Sequence, residues 1–109
     1  MSAALDAANQ VRKLRANIRS AIHERSRREA WAIIGDYIID TPAGLATMTA
    51  RELLAMNMWA PVTRVAYILD ESGIGPYAPI GTLTSVDRGR LAAVIEAEIA
   101  RKSPLDMEG

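Results

Sequence analysis

The stretch TMTARELLAMNMWAPVTRVAYILDESGIGPYAPIGTLTSVDRGRLAAVI, residues 47–95, decides the fold of this chain. It opens with a capping box at Thr49, where a threonine and a glutamate three residues later satisfy the free amides of a helix start. Pro61 suits the first turn of a second helix, and Gly73 suits its left-handed cap. A further capping box at Thr84 predicts a third helix. Short helices with a Gly/Pro-rich connection are typical of a small nucleic-acid-binding module.

Two further helices precede this stretch. From Ala3 to about Arg25, apolar residues recur every three or four positions, which predicts a long amphipathic helix. Ser26-Arg-Arg-Glu is another capping box, and the helix after it, running to about Ile39, is apolar nearly all round, as a central core helix requires. A brief helical turn follows through Leu45. Because no alternating strand pattern exceeds four residues, we predict an all-α fold.

The composition indicates one globular unit of 109 residues, half of them apolar. We divide it into a basic amphipathic helix (1–25), a helical domain (26–102) and a frayed tail (103–109). The absence of cysteine excludes thiol catalysis, cysteine zinc sites and disulfides. No apolar run reaches the roughly 18 residues of a membrane span, and the N-terminus lacks the pattern of a signal peptide. We therefore expect a cytoplasmic protein without membrane association.

The charges are divided unevenly along the chain. Residues 1–30 hold seven bases and three acids, or +4, whereas residues 31–109 hold six bases and ten acids, or −4. On the first helix, Arg12, Arg15 and Arg19 each follow an apolar residue by one position, so they flank the buried stripe. With Arg27 and Arg28 they form a ridge that predicts about four to six phosphate contacts. The alternative is an ordinary solvated helix face.

The segments Arg51-Glu-Leu-Leu, Ile74-Gly-Pro, Leu83 and Arg88-x-x-Leu91 resemble the integration host factor family of actinobacteria, and the resemblance runs without gaps from about Ile34 to Ile95. Members of that family are small, mostly helical nucleoid proteins. Each has a long first helix and a helix-two-turn-helix domain related to that of a small-subunit ribosomal protein. The resemblance implies a long N-terminal helix packed on such a domain of about five helices. It also implies a nucleoid location, in a divergent or phage-encoded relative.

In that family, the DNA backbone is bound by a glycine-containing loop, a lysine just after it and an arginine pair. The resemblance places Arg64 at the lysine position, where it can serve as the cation. Pro61 stands at the glycine position, and Ala78 and Pro79 stand at the arginine pair. Proline lacks a backbone N–H, and alanine carries no charge, so these departures remove phosphate contacts.

Three functions are compatible with these residues. The first is a non-catalytic, architectural DNA-binding protein of low sequence specificity, which holds double-stranded DNA through the first helix, Arg51 and Arg64. The second is an interaction module that has lost its DNA contacts and binds a host or phage protein through Trp59 and Tyr77. The third is a helix-turn-helix regulator that places Thr63 and Arg64 in the major groove. We expect no enzyme, cofactor or metal, because no catalytic groups converge in the pattern. The oligomeric state stays open.

Overall fold

A computed structural model of the chain describes residues 3–101, so the tail predicted at 103–109 lies outside the described residues. The described part forms no strand, and an isolated bridge joins Thr49 to Pro79. The predicted all-α fold, with a long first helix packed on the others, is confirmed. The elements are α1 (Ala3–His23), α2 (Arg27–Ile39), a first 3-10 turn (Ala43–Leu45), α3 (Ala50–Leu54), α4 (Val62–Ser72), a second 3-10 turn (Ile80–Thr82) and α5 (Ser85–Ala100).

The helix starts follow the capping residues of the sequence. The Ser26 hydroxyl accepts the Glu29 amide at 3.3 Å, and the Glu29 carboxylate accepts the Ser26 amide at 3.4 Å. Thr84 and Asp87 make the same reciprocal pair, at 3.1 Å in both directions. At α3, Thr49 accepts the Glu52 amide at 3.1 Å, but the Glu52 carboxylate makes no return bond, so only half of the predicted capping box forms there. These side chains replace the intrahelical partners that the first amides of a helix lack, so the three predicted starts are confirmed.

Two predicted helix ends were too late by two or three residues. Helix α1 ends at His23 rather than Arg25, and the Arg25 carbonyl instead accepts the indole N–H of Trp59 at 3.0 Å. Helix α3 ends at Leu54 rather than near Asn57, because the Asn57 amide bonds the carbonyl only three residues back. In both cases the chain tightens to a hydrogen bond with the carbonyl three residues back, from Arg25 to Ile22 and from Asn57 to Leu54, and the helix ends.

The end of α4 matches the prediction for a left-handed cap. Gly73 has φ 70°, and its N–H donates to the carbonyls of Asp70 and Leu69. The next amide, of Ile74, donates to the Leu69 carbonyl at 3.0 Å, and the Ile74 side chain is buried. Glycine suits this position because a Cβ is disfavoured at positive φ. The cap turns the chain into the loop that precedes the second 3-10 turn.

Helix α2 packs chiefly on α5, and α4 also packs on α5. The long helix α1 contributes only Ile18 and Ile22 to the buried core, and its residues 3–10 are all exposed. The described part of the molecule is accordingly elongated, 52 by 30 by 21 Å. The α2–α5 pair buries Trp31, Ile34, Ile38, Leu91 and Ile95.

One arginine of the resemblance has a structural role. Arg88 on α5 donates from Nη1 to the Ile38 carbonyl at 2.8 Å and to the Thr41 hydroxyl at 2.6 Å. Its Nη2 donates to the Ile80 carbonyl at 2.8 Å, and its Nε to the Leu83 carbonyl at 3.2 Å. A guanidinium can satisfy several carbonyls at once because its donors point in a fixed planar fork. Arg88 thus joins the end of α2 to the second 3-10 turn.

Candidate nucleic-acid interface

The basic flank of α1 consists of Arg12, Arg15, Arg19 and His23. Steps of three and four residues place these side chains on one side of the helix. Arg12, Arg19 and His23 are exposed. The acid Asp6, near the start of α1, lies about 120° around the helix from Arg12 at 100° per residue. The three arginines therefore make the flank cationic along about 10 Å of helix, from Arg12 to Arg19.

The middle of this flank is anchored to the body of the protein. Arg15 is half-buried, and it donates to the Gly44 carbonyl at 3.2 Å and to the Thr47 hydroxyl at 2.7 Å. These bonds hold α1 against the first 3-10 turn. They occupy only part of the guanidinium, which has five N–H donors, so Arg15 retains donors for a phosphate.

The fold brings five arginines to one end of the molecule. We call Arg25, Arg27, Arg28, Arg64 and Arg101 the arginine cluster; they come from the α1–α2 turn, the start of α2, the first turn of α4 and the end of α5. Contacts around Arg27, Trp59 and the end of α5 link these elements. Since the basic flank of α1 runs towards the α1–α2 turn, flank and cluster adjoin.

Arg27 corrects one sequence prediction. It was expected to be a surface phosphate contact, but it is only 5% exposed. Its Nη1 donates to the Glu98 carbonyl at 3.0 Å and its Nη2 to the Arg101 carbonyl at 2.8 Å. Its own carbonyl accepts the Asn57 side-chain amide at 3.2 Å. Arg27 therefore caps the C-terminus of α5, where carbonyls lack intrahelical partners and a cation is favoured.

Arg64 is also engaged within the protein. Its Nε donates to Glu98 Oε2 at 2.9 Å and its Nη2 pairs with Glu98 Oε1, in a two-point contact. The guanidinium lies over the Tyr67 ring, 4.3 Å from the centroid. The expected partner was a phosphate, and the α5 carboxylate takes its place. Such fork-shaped pairing holds both the position and the orientation of the guanidinium.

Glu98 is the acid at the centre of the cluster. Its side chain is 3% exposed, and Arg101 Nε lies 3.4 Å from Oε2, the oxygen that also accepts Arg64 Nε. Burial raises the pKa of Glu98, but the hydrogen bonds and charge of Arg64, with the charge of Arg101, outweigh burial, so the net pKa lies below its ordinary value. The carboxylate is therefore ionised at neutral pH and offsets one positive charge of the cluster.

The remaining predicted DNA contacts lie on the surface but are not brought together. Arg28 is exposed in the first turn of α2, beside Arg27. Arg51 is exposed on α3, and Thr63 is exposed in the first turn of α4. Arg51 is not part of the arginine cluster; it lines a groove between α3 and α4. The structure thus places Arg28 at the basic end of the molecule. Arg51 lies apart from that end, in the groove.

The groove between α3 and α4 is mostly apolar. It has a volume of about 340 Å³ and continues along α4 into a second cavity of about 230 Å³. Val62 is 70% exposed and Tyr77 is 73% exposed, which is high for side chains of this size. An exposed apolar cluster of this kind is typical of a contact surface. The principal lining residues are Arg51, Ala55, Met58, Val62, Val65 and Tyr77.

The two predicted partner-binding residues have different positions. Tyr77 lines the groove. Trp59 instead covers the α1–α2 turn: its indole N–H bonds the Arg25 carbonyl, and its backbone N–H bonds the Asn57 side chain at 3.1 Å. Part of the Trp59 ring is exposed, so it contributes to the surface beside the arginine cluster.

Sequence reasoning did not single out three residues of the basic end: Arg25, Glu98 and Arg101. Arg25 forms an exposed pair with Glu29 at 3.6 Å, and Arg101 approaches Glu98 from the end of α5. The charge excess of residues 1–30 indicated Arg25, but no local pattern placed α5 beside α2. Their proximity depends on the packing of helices that are about 70 residues apart in the chain.

These features define a small all-α protein with a basic first helix, an arginine cluster and an apolar groove. No protein-family model, curated protein or solved structure matches the chain. Within residues 3–101, no helix has the length and apolar character to cross a bilayer. The same residues bring no three His, Asp or Glu side chains into a possible metal-binding group.

Proposed function

We propose that this chain is a non-catalytic DNA-binding protein of the architectural type, which holds the phosphate backbone of double-stranded DNA with low sequence specificity. Its contacts are the basic flank of α1 and the exposed members of the arginine cluster. On this proposal, the protein acts at the nucleoid in the cytoplasm, as the resemblance to integration host factors implies.

The observation that supports this proposal best is the series of exposed arginines that leads from α1 into the arginine cluster: Arg12, Arg19, Arg25 and Arg28. The arginines of the flank, from Arg12 to Arg19, cover about 10 Å, which corresponds to about three phosphates along one strand at 3.4 Å each. Arg28 and Arg101 extend the cationic surface beyond the α1–α2 turn. Residues 1–30 carry a net charge of +4 and residues 31–109 a net charge of −4, and this charge separation favours one orientation towards an anion.

The same contacts favour low sequence specificity. A helix that reads bases in the major groove usually presents Arg, Asn or Gln at its start. Helix α4 presents Thr63 and Arg64 there, and Arg64 is bound by Glu98. Phosphate contacts fix orientation without reporting sequence. The helix-turn-helix regulator is therefore the less favoured interpretation.

The test is a titration of mixed-sequence duplex DNA at about 50 mM and 200 mM salt. The double variant Arg12→Ala/Arg19→Ala removes two exposed cations of the flank. We expect the slope of log K against log salt to become shallower by about 1.8, at 0.9 per contact. The control, Lys13→Ala/Arg90→Ala, removes the same charge from α5 and from a position about 100° around α1 from Arg12. Its slope should stay at the wild-type value.

Three results would contradict the proposal in different ways. No binding by the wild-type chain at about 50 mM salt would exclude the architectural function. An equally shallow salt slope in the control variant would mean that net charge, and not the flank, determines the binding. Salt-dependent binding that the Arg12→Ala/Arg19→Ala change leaves intact would move the site to the loops around Arg51 and Thr63.

The interaction module is the second candidate, and the exposed apolar groove favours it. On this alternative, Tyr77, Met58 and Val62 bury their side chains on another protein, a contact that the resemblance to DNA-binding proteins does not require. Sedimentation of the chain alone tests one partner, a second copy. A dimer that dissociates in Met58→Ser/Tyr77→Ser would support the alternative. A monomer that binds duplex DNA equally well with this double change would count against it.

A further inference from the structure

We propose that Glu98 withholds Arg64 from the DNA backbone, so that the Arg64–Glu98 ion pair holds the affinity for DNA below what the arginine cluster would otherwise give. This inference rests on the proposed DNA-binding function and adds a regulatory contact to the same surface. It concerns a single carboxylate placed among arginines that come from three different elements.

Two side chains, Glu98 and Tyr67, contact the Arg64 guanidinium from different sides. The Glu98 carboxylate accepts hydrogen bonds from both Nε and Nη2 of Arg64. These are the donors that a phosphate would use for two-point binding. Tyr67 covers one face of the guanidinium at 4.3 Å. The Arg64 side chain is 26% exposed, so its outer edge still lies at the surface. Arg64 therefore lies at the edge of the basic surface with its preferred phosphate-binding face already occupied.

A purely structural role explains the carboxylate less well. Helix α5 is already joined to its neighbours: Arg27 donates to the Glu98 backbone carbonyl, and Leu91 and Ile95 are buried in the core. A buried ion pair often adds little net stability, because desolvation of both charges offsets their attraction. An apolar side chain at position 98 could fill the same space. What the carboxylate adds is a competing anion for Arg64, which it binds at two points.

Removal of the negative charge of Glu98 should therefore free the Arg64 guanidinium for a phosphate. In Glu98→Gln, the competing anion is lost while the shape of the side chain is retained. Arg64 then becomes one additional phosphate contact. One contact with a salt exponent of 0.9 corresponds to about a fifteen-fold gain in DNA affinity at 50 mM salt and about a fourfold gain at 200 mM. The slope of log K against log salt becomes steeper by about 0.9.

The experiment measures mixed-sequence duplex binding at these two salt concentrations for three variants and the wild-type chain. Glu98→Gln should bind more tightly by the factors above. Glu98→Gln/Arg64→Gln should lose that gain, because the released guanidinium is absent. The control is Glu29→Gln, which removes an exposed acid of the same end of the molecule. Arg25, the partner of Glu29, is already exposed, so the control should gain less than twofold.

The outcomes separate the inference from the proposed function. Failure of the wild-type chain to bind DNA would overturn both. Binding by the wild-type chain with no gain in Glu98→Gln would overturn the inference alone. An equal gain in Glu29→Gln, or a gain that survives Arg64→Gln, would also overturn it, since bulk charge would then explain the effect. Thermal unfolding checks each variant. If Glu98→Gln does not fold, Glu98→Met replaces it, because methionine fills a similar volume without polar atoms to satisfy.

Discussion

Replacement of Arg27 by methionine should destabilise the fold and leave the phosphate contacts intact. Arg27 is one of two adjacent arginines that the sequence assigns to a DNA-binding ridge, but its guanidinium is buried and bonded to the carbonyls of Glu98 and Arg101. Methionine retains an apolar stem of similar length and removes the charged donors. The change therefore isolates the hydrogen bonds from the packing of the side chain.

The magnitude follows from the two carbonyls. The Glu98 carbonyl is buried, although the Arg101 amide also reaches it at 3.2 Å, and the Arg101 carbonyl is partly accessible to water. Hydrogen bonds from a charged donor contribute about 1.5 to 3 kcal/mol each, and the accessible one contributes less. We expect a loss of about 3 kcal/mol in the free energy of unfolding. For a domain of this size, that lowers Tm by about 12 to 24 °C.

The assay combines thermal unfolding with the salt dependence of duplex binding, and Arg28→Met serves as the matched control. Arg28 is exposed, so its loss should cost less than about 1 kcal/mol. On the proposed function, Arg28→Met makes the salt slope shallower by about 0.9, whereas Arg27→Met leaves it unchanged. The reasoning would be refuted if Arg27→Met kept the wild-type Tm and lost the phosphate contact instead.

Three further predictions concern the fold itself. The pKa of Glu98 lies below its ordinary value, so its contribution to stability should be complete above about pH 4.5 and should disappear as the pH falls further. In urea unfolding from pH 6 to 3, the free energy of unfolding should therefore depend less on pH in Glu98→Gln than in the wild-type chain. Gly81→Ala should cost about 1 to 3 kcal/mol, since a Cβ would lie 3.0 Å from the Ala46 carbonyl oxygen, whereas a Cβ at Gly75 meets nothing within 4 Å and Gly75→Ala should be nearly neutral in the same denaturation assay. Thr84→Ala should lower the free energy of unfolding by about 1 kcal/mol through loss of the α5 cap, and an unchanged Tm would contradict the role of the capping box.

The local features of the fold could be predicted because they depend on residues close together in the chain. A capping box joins positions three apart, as at Ser26 and Thr84, and a left-handed cap needs one glycine, as at Gly73. The predicted ends of α1 and α3 were less accurate because the chain there tightens to three-residue hydrogen bonds that no sequence pattern indicates. The Arg25 carbonyl turns to Trp59, and no pattern near residue 25 indicates a tryptophan 34 positions later.

The sequence by itself determined the helical class, the helix starts and the charge excess of the first 30 residues, because periodicity, capping chemistry and composition act over short distances. Only the tertiary structure decided which arginines are available to a ligand. Arg27 and Arg28 are neighbours of the same charge, yet one caps α5 in the interior and the other faces solvent. Glu98, 34 residues after Arg64, binds the very cation that the resemblance assigns to phosphate. The charge of a side chain is set by the residue itself, whereas its partner depends on how distant helices pack. A charge that this packing buries needs a partner, because burial without one is costly.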